Sequence, residues 1–317
     1  NSGLLMNPTD VSLFILGLIG LYFGAEWMIR GASCLAVTIG IRPIVVGLTV
    51  VAFGTSSPEL AVSLVAVFEG SDGIALGNII GSNIANIGLI MGVSALVSPL
   101  KVDLNVLRRE LPIMVFVSLF FVGLLYDGIV DVWDGCILFG GLLCYLIYQL
   151  RDVFVGNRHE KELNDKDAYP SRTGWNVLLI FVGLGVLMGG AKLMIDSGVV
   201  IARSFGISEI VIGIALVAVG TSLPELATSL VSAMRGESDI SVGNIIGSNL
   251  FNIMSVVGLV SIVSPLSVDR QLFYFELPIM LAFSLVLFPF MKTGLVVSRL
   301  EGGILLLGYG LFIFSLF

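Results

Sequence analysis

Two glutamates, Glu59 and Glu225, each interrupt an otherwise apolar segment, and each is preceded by the same run, Gly-Thr-Ser-x-Pro. A carboxylate at bilayer depth costs a few kcal/mol and marks a functional position by default. An ordinary structural glutamate would have a lysine or arginine beside it. Here the nearest basic residues, Arg42 and Arg235, sit only at the segment ends. Two carboxylates without counter-charges point to a cation as the missing partner. The prolines, Pro58 and Pro224, remove a backbone donor from any helix that contains them. That would free carbonyls near Ala52 or Thr55 and near Ala218 or Thr221, while the Thr and Ser hydroxyls add further oxygens. A carboxylate, carbonyl and hydroxyl set suits hard cations such as Ca²⁺ and Na⁺, not soft ones.

Both glutamates belong to a larger repetition. Gly77-Asn78-Ile79-Ile80-Gly81-Ser82-Asn83 returns unchanged as Gly243 to Asn249, at the 166-residue offset that separates Glu59 from Glu225. Ser98-Pro99-Leu100 and Glu110 to Met114 recur at the same offset, so a whole unit is duplicated. In helical spacing Ser82 and Asn86 share a face one turn apart, as do Ser248 and Asn252; Asn78 and Asn244 extend those faces. Gly77 and Gly81 stand at the spacing of close helix packing, so glycines that allow approach and amides that face the site are both expected. For Asn83 and Asn249, packing and ligation fit equally well.

The elements that must carry these residues follow from composition. The 317 residues are 56% hydrophobic and 12% charged, with mean hydropathy +1.04. A soluble domain carries about 25% charged residues, so the chain reads as an integral membrane protein. Runs of roughly 20 apolar residues place helices near 11–29, 43–68, 74–97, 109–126 and 132–150. A second five lie near 174–202, 209–234, 240–263, 274–291 and 298–317. The expected fold is therefore all-α: ten transmembrane helices in two inverted five-helix repeats, broken at a central site. The least secure stretch is 109–150, where a glycine-rich part such as 135–141 leaves room for a break. Five helices is an odd number, so the second copy enters from the opposite face. The units are 1–150, a hydrophilic linker 151–173, and 174–317. All of the 16 lysines and arginines except Arg203, Arg270 and Lys192 fall in loops of one side. The positive-inside rule puts that side, with the linker, in the cytoplasm and both termini outside a plasma membrane.

Other signals exclude functions. No basic patch pairs with aromatics, so nucleic acid is not a partner. Cys34, Cys136 and Cys144 are odd in number and without metal spacing, so neither disulfide nor zinc is expected. His159 lies in the polar linker, which has no EF-hand pattern and reads as a tether. Asn1–Leu5 reads as a processing remnant ahead of Met6, with no basic n-region of a signal peptide. Glu26 and Arg30, and their counterparts Lys192 and Asp196, read as i,i+4 pairs; a sharper reading makes them latches on sliding helices. Glu69, Asp72, Asp127, Asp131 and Asp134 read as solvated outer loops. An intramembrane hydrolase lacks a means of activating water here, and a scaffold leaves the lone glutamates unexplained.

The paired GTSxPEL and GNIIGSN elements, each in a five-helix half, resemble the alpha repeats of the sodium/calcium exchanger family, within the calcium/cation antiporter superfamily. The resemblance spans all ten helices. It implies alternating access of one central site, several Na⁺ moving against each Ca²⁺, with no cofactor. It implies as ligands Glu59 and Glu225 with Thr55, Ser56, Thr221 and Ser222, joined by Ser82, Asn86, Ser248 and Asn252, and by the Ala52 and Ala218 carbonyls. Some members, including potassium-dependent exchangers, carry Asp where Asn252 stands; Asn252 cannot ionise, which argues against potassium dependence. Proton/calcium exchangers usually place an acid within the GNIIGSN element, and this chain has none there. Both remain alternatives. The expected partners are Ca²⁺, Na⁺ and the bilayer, and the expected unit is a monomer.

Overall fold

The computed structural model describes residues 8–156, 173–205 and 220–316. Among these residues the chain is helical apart from short strand pairs, and eight helices are long and apolar enough to cross a membrane. The expected 209–234 helix is described only from 220 onward, and the last helix is 17 residues long. His159 and most of the linker lie outside the described residues.

The first copy runs through α1 (Pro8–Ile39), α2 (Pro43–Val46), a π-helical stretch Gly47–Val51, and α3 (Ala52–Thr55). Then follow α4 (Ser57–Phe68), α5 (Asp72–Ala85), a π-helical stretch Asn86–Met91, and α6 (Gly92–Val97). A further π stretch, Val106–Glu110, leads into α7 (Leu111–Leu124), and α8 spans Val132–Gly156. No break interrupts α8 at its glycines, and it runs six residues past the expected end at 150. The second copy comprises α9 (Thr173–Ser204), α10 (Leu223–Met234), α11 (Ser238–Phe251), a π stretch Asn252–Val257, and α12 (Gly258–Val263). It ends with α13 (Arg270–Tyr274), α14 (Glu276–Lys292) and α15 (Arg299–Ser315).

Burial sorts these elements as their sequences require. The α5–α6 and α11–α12 rods are apolar or small on every face, the pattern of a helix surrounded by protein. They form the centre of the main hydrophobic cluster, with Ile79, Ile84, Ile87, Ile245, Leu250 and Ile253 inaccessible. By contrast, α1 exposes Leu16, Ile19 and Phe23 outward, a surface suited to acyl chains. Two short antiparallel pairs tie the copies crosswise: β1 (Leu100–Lys101) to β4 (Val296–Val297), and β2 (Ile129–Val130) to β3 (Leu266–Ser267).

The helices α1 and α9 form a close antiparallel pair, and a second hydrophobic cluster joins them to Val46, Val51, Leu223, Val231 and Ile240. A methyl group built on Gly17 would lie 2.6 Å from the Met194 amide nitrogen, on Gly183 2.5 Å from that of Met28, and on Gly190 2.6 Å from that of Leu21. Only glycine permits backbones so close, the small-residue packing of membrane helices. The Glu26–Arg30 reading is corrected: the Glu26 carboxylate pairs instead with Arg235, just beyond the end of α10. A second ion pair joins Arg42 to Asp103. Two of the acids expected in solvated loops bind backbone amides: Asp131 accepts from those of Trp133 and Asp134, and Asp72 from that of Ser267.

Candidate cation site

Each glutamate sits in the first turn of a helix, not in the interior of a kinked one. The chain stops being helical at Ser56 (φ −82°, ψ 4°) and restarts with Pro58 and Glu59 in the first turn of α4. Ser222 (φ −86°, ψ 7°) does the same ahead of Pro224 and Glu225. A proline in the first turn loses nothing, because that donor has no intrahelical partner. The helix start also favours a negative charge. The Ala52 carbonyl accordingly is not left free as the interior-proline argument supposes. It accepts from the Ser56 amide (3.0 Å) and lies 3.3 Å from Thr55 Oγ1. Ala218 lies outside the described residues.

Hydrogen bonds from one copy to the other hold the two starts together. Thr55 Oγ1 donates to Asn244 Oδ1 (3.1 Å), and Thr221 Oγ1 donates to Asn78 Oδ1 (3.2 Å). Ser56 Oγ donates to Glu225 Oε1 (3.1 Å), and Ser222 Oγ lies 3.3 Å from Glu59 Oε1 and 3.2 Å from Ser82 Oγ. Ser82 Oγ is itself 3.4 Å from Glu59 Oε1, whereas Ser248 Oγ is 3.5 Å from Thr55 Oγ1. The asparagines of GNIIGSN therefore act as clamps. Asn78 Nδ2 donates to the Glu59 carbonyl (3.2 Å) and to Ser63 Oγ (3.0 Å); Asn244 Nδ2 donates to the Glu225 carbonyl (3.4 Å) and to Ser229 Oγ (2.9 Å). Ser63 and Ser229 escaped the sequence reading. Their signal was present: each lies four residues after its glutamate, at the common offset.

What remains unsatisfied defines the site. Glu59 Oε2, Glu225 Oε2, Asn252 Oδ1 and both amide atoms of Asn86 are buried without a hydrogen-bond partner among the described residues. Glu59, Glu225, Asn86 and Asn252 are each at most 1% exposed. An orphaned buried polar atom costs about 1–3 kcal/mol, and a charged one more. Asn86 and Asn252 open the π-helical stretches, whose extra residue per turn redirects side chains. Asn252 Nδ2 donates to Asn83 Oδ1 (3.1 Å), which turns its own oxygen away from that contact. The arginines at the segment ends are engaged elsewhere, with Asp103 and Glu26, and among the described residues no salt bridge reaches either glutamate.

The close approach expected at Gly77 and Gly81 is described at their counterparts in the second copy. A methyl on Gly243 would meet the Ile44 carbonyl at 2.8 Å, and one on Gly247 the Leu48 carbonyl at 2.8 Å. These two match the expectation of close approach. The positions that match Ile44 and Leu48 by the repeat, 210 and 214, lie outside the described residues.

The family model described as sodium/calcium exchanger protein matches the chain twice, over residues 9–151 and 175–317. The chain belongs to the sodium/calcium exchanger family. It is 35% identical over 348 residues to the sodium/calcium exchanger MaX1 of Methanosarcina acetivorans, covering 98% of this chain and 99% of that one. It is 36% identical to the putative antiporter CaxA of Alkalimonas amylolytica, over 96% of this chain and 98% of the relative. Among solved structures, the sodium-calcium exchanger NCX_Mj superposes with a TM-score of 0.85 at 33% identity, covering 98% of this chain and all of that one. The two matched segments of the exchanger family model bracket the two sequence copies, and the chain is a multi-pass membrane protein of the antiporter type.

Proposed function

We propose that this exchanger moves several Na⁺ against one Ca²⁺ by alternating access at the Glu59–Glu225 centre. The observation that carries the reading is the set of buried oxygens with no partner among the described residues: one from each glutamate, with those of Asn86 and Asn252. A single Ca²⁺ neutralises both carboxylates, and so do two Na⁺. A third Na⁺ takes a neutral site of hydroxyl and carbonyl oxygens, which makes the exchange electrogenic. The membrane potential then contributes about 2.3 kcal/mol per charge per 100 mV. The ligands are Glu59, Glu225, Thr55, Thr221, Ser56, Ser222, Ser82, Ser248, Asn86 and Asn252, with the carbonyls of Ala52 and Ala218. No cofactor takes part.

The architecture proposed for this cycle has ten helices in inverted repeats, 1–150 and 174–317, joined by a cytoplasmic linker 151–173. Both termini are extracellular, the location is the plasma membrane, and the unit is a monomer. The antiparallel α1–α9 pair supports the inversion, because these are the first helices of the two copies. The names of MaX1 and NCX_Mj support Na⁺ and Ca²⁺ as the exchanged ions.

The test is ⁴⁵Ca²⁺ uptake into Na⁺-loaded proteoliposomes, with and without an outward Na⁺ gradient, alongside Glu59→Gln and Glu225→Gln. Uptake that needs the gradient and disappears in both variants is expected. Uptake indifferent to Na⁺ but driven by a pH gradient would assign the chain to the proton/calcium class, and a requirement for K⁺ to the potassium-dependent class.

A further inference from the structure

Outside the cation site, four serine or threonine hydroxyls are buried and without a partner among the described residues: Ser33, Ser94, Thr228 and Ser232. They gather around one helix. Thr228 and Ser232 lie on α10 itself, Ser33 on α1 and Ser94 on α6, and both α1 and α6 pack against α10. Ser94, Thr228 and Ser232 are fully inaccessible. A helical Ser or Thr ordinarily turns its hydroxyl back onto the carbonyl four residues earlier, as Ser118, Ser261 and Ser284 do here. These four do not.

Their positions form a direction. On α10, Glu225 lies three residues from Thr228 and four from Ser229, and Ser232 lies four from Thr228 and three from Ser229, so the four share one face. Glu225 stands in the first turn, and the Glu26–Arg235 ion pair closes the far end. The repeat supplies an internal comparison. The positions equivalent to Ser33, Ser94, Thr228 and Ser232 are Val199, Val260, Val62 and Ala66, all apolar. At these four positions the seam beside α4, where α4 packs on α12, is apolar, while the seam beside α10 carries unpaired hydroxyls. Four dry unpaired hydroxyls would cost several kcal/mol at about 1–3 each. Water removes that cost, and a buried water requires two to four polar partners of this kind.

We propose that the seam between α10, α6 and α1 is the hydrated route by which a cation passes between Glu225 and the face that bears Arg235. The route on the opposite face lacks this lining, so the two sides of the membrane reach one site through chemically unequal paths. The identity of the cargo, and the assignment of the Arg235 face to the cytoplasm, rest on the function proposed above. The seam itself is tested without them.

Single cysteines are placed at Ser94, Thr228 and Ser232, and at the counterparts Val260, Val62 and Ala66. The background has Cys34, Cys136 and Cys144 replaced and retains ion flux. A membrane-impermeant thiosulfonate is applied from each face during turnover, and Gly236→Cys serves as the exposed reference on the Arg235 side. The seam cysteines are expected to react from the Arg235 side about tenfold faster than their counterparts from either side. Equal rates in the two sets, or no reaction at the seam while Gly236→Cys is modified, would overturn the proposal. In parallel, Thr228→Val combined with Ser232→Ala is expected to cut flux about tenfold while the thermal stabilisation by Ca²⁺ persists. Undiminished flux would also overturn it. If wild-type protein shows no Ca²⁺ stabilisation, the site reading fails, and the labelling pattern still decides the seam.

Discussion

Replacing Glu59 by glutamine removes one of two buried charges and leaves its neighbours in place. Glu59 Oε1 meets Ser222 Oγ at 3.3 Å and Ser82 Oγ at 3.4 Å, long contacts that a glutamine oxygen can keep. Oε2 has no hydrogen-bond partner among the described residues, and Arg42 and Arg235 are held by Asp103 and Glu26. The variant is therefore expected to fold, and its deficit falls on the bound cation. Removing one member of a buried ion pair costs about 3–5 kcal/mol, which raises the Ca²⁺ dissociation constant roughly 160- to 5,000-fold. At a Ca²⁺ concentration a thousand times the wild-type constant, binding stabilises the wild-type protein by about 4.1 kcal/mol. The same concentration stabilises Glu59→Gln by only about 0.1–1.2 kcal/mol. Thermal unfolding in detergent, with Ca²⁺ and with chelator, reads this difference directly. Glu225→Gln should behave alike, because Glu225 Oε2 is equally unpartnered. A full Ca²⁺-dependent shift in either variant would refute the paired-carboxylate site.

Three further outcomes follow from particular contacts. Thr55→Val and Thr221→Val each strip a buried asparagine oxygen of its donor, at Asn244 and Asn78, and each is expected to lower stability by about 1–3 kcal/mol; denaturation without cations measures it. Gly190→Ala would drive a methyl to 2.6 Å from the Leu21 nitrogen and should cost about 1–3 kcal/mol, whereas Gly189→Ala, which meets nothing within 4 Å among the described residues, should be neutral in the same melt. Burial pushes the Asp103 carboxyl up, but the Asn105 amide and Arg42 together outweigh it and hold it below the ordinary aspartate value. Its contribution is thus complete above about pH 4 and lost as pH falls through the lower folded value. Because the pair is partly exposed, it is worth at most about 1 kcal/mol, so the gap in melting temperature to Asp103→Asn should be small at pH 7 and close below about pH 4.

The site was legible because the duplication exposes it. Any residue type that chemistry needs twice appears twice at one offset, and Glu59, Ser82, Asn86 and their counterparts stood out for that reason. The helices were legible because a bilayer demands apolar runs. Three features were not, one because its partner lies far along the chain and two because local backbone geometry leaves no mark in the sequence. Glu26 had a plausible partner four residues away, yet Arg235, 209 residues on, offers the contact that is made. The role of proline was read as an interior kink because the sequence does not mark Ser56 as the point where helical geometry stops. The π-helical stretches at Asn86 and Asn252 leave no compositional trace, since their residues would serve equally well in an α-helix.

The crosswise bonds also set a timetable for biogenesis. Asn78 of the first copy accepts from Thr221, which is made 143 residues later. At a synthesis rate of about 5–20 residues per second, the nascent first half spends roughly 7–30 s in the bilayer with that oxygen, and the Glu59 carboxylate, without their final partners. A factor that shelters polar groups in half-made membrane proteins would act in that interval. Slow codons between positions 86 and 221 would prolong the exposure, with no effect on the finished molecule.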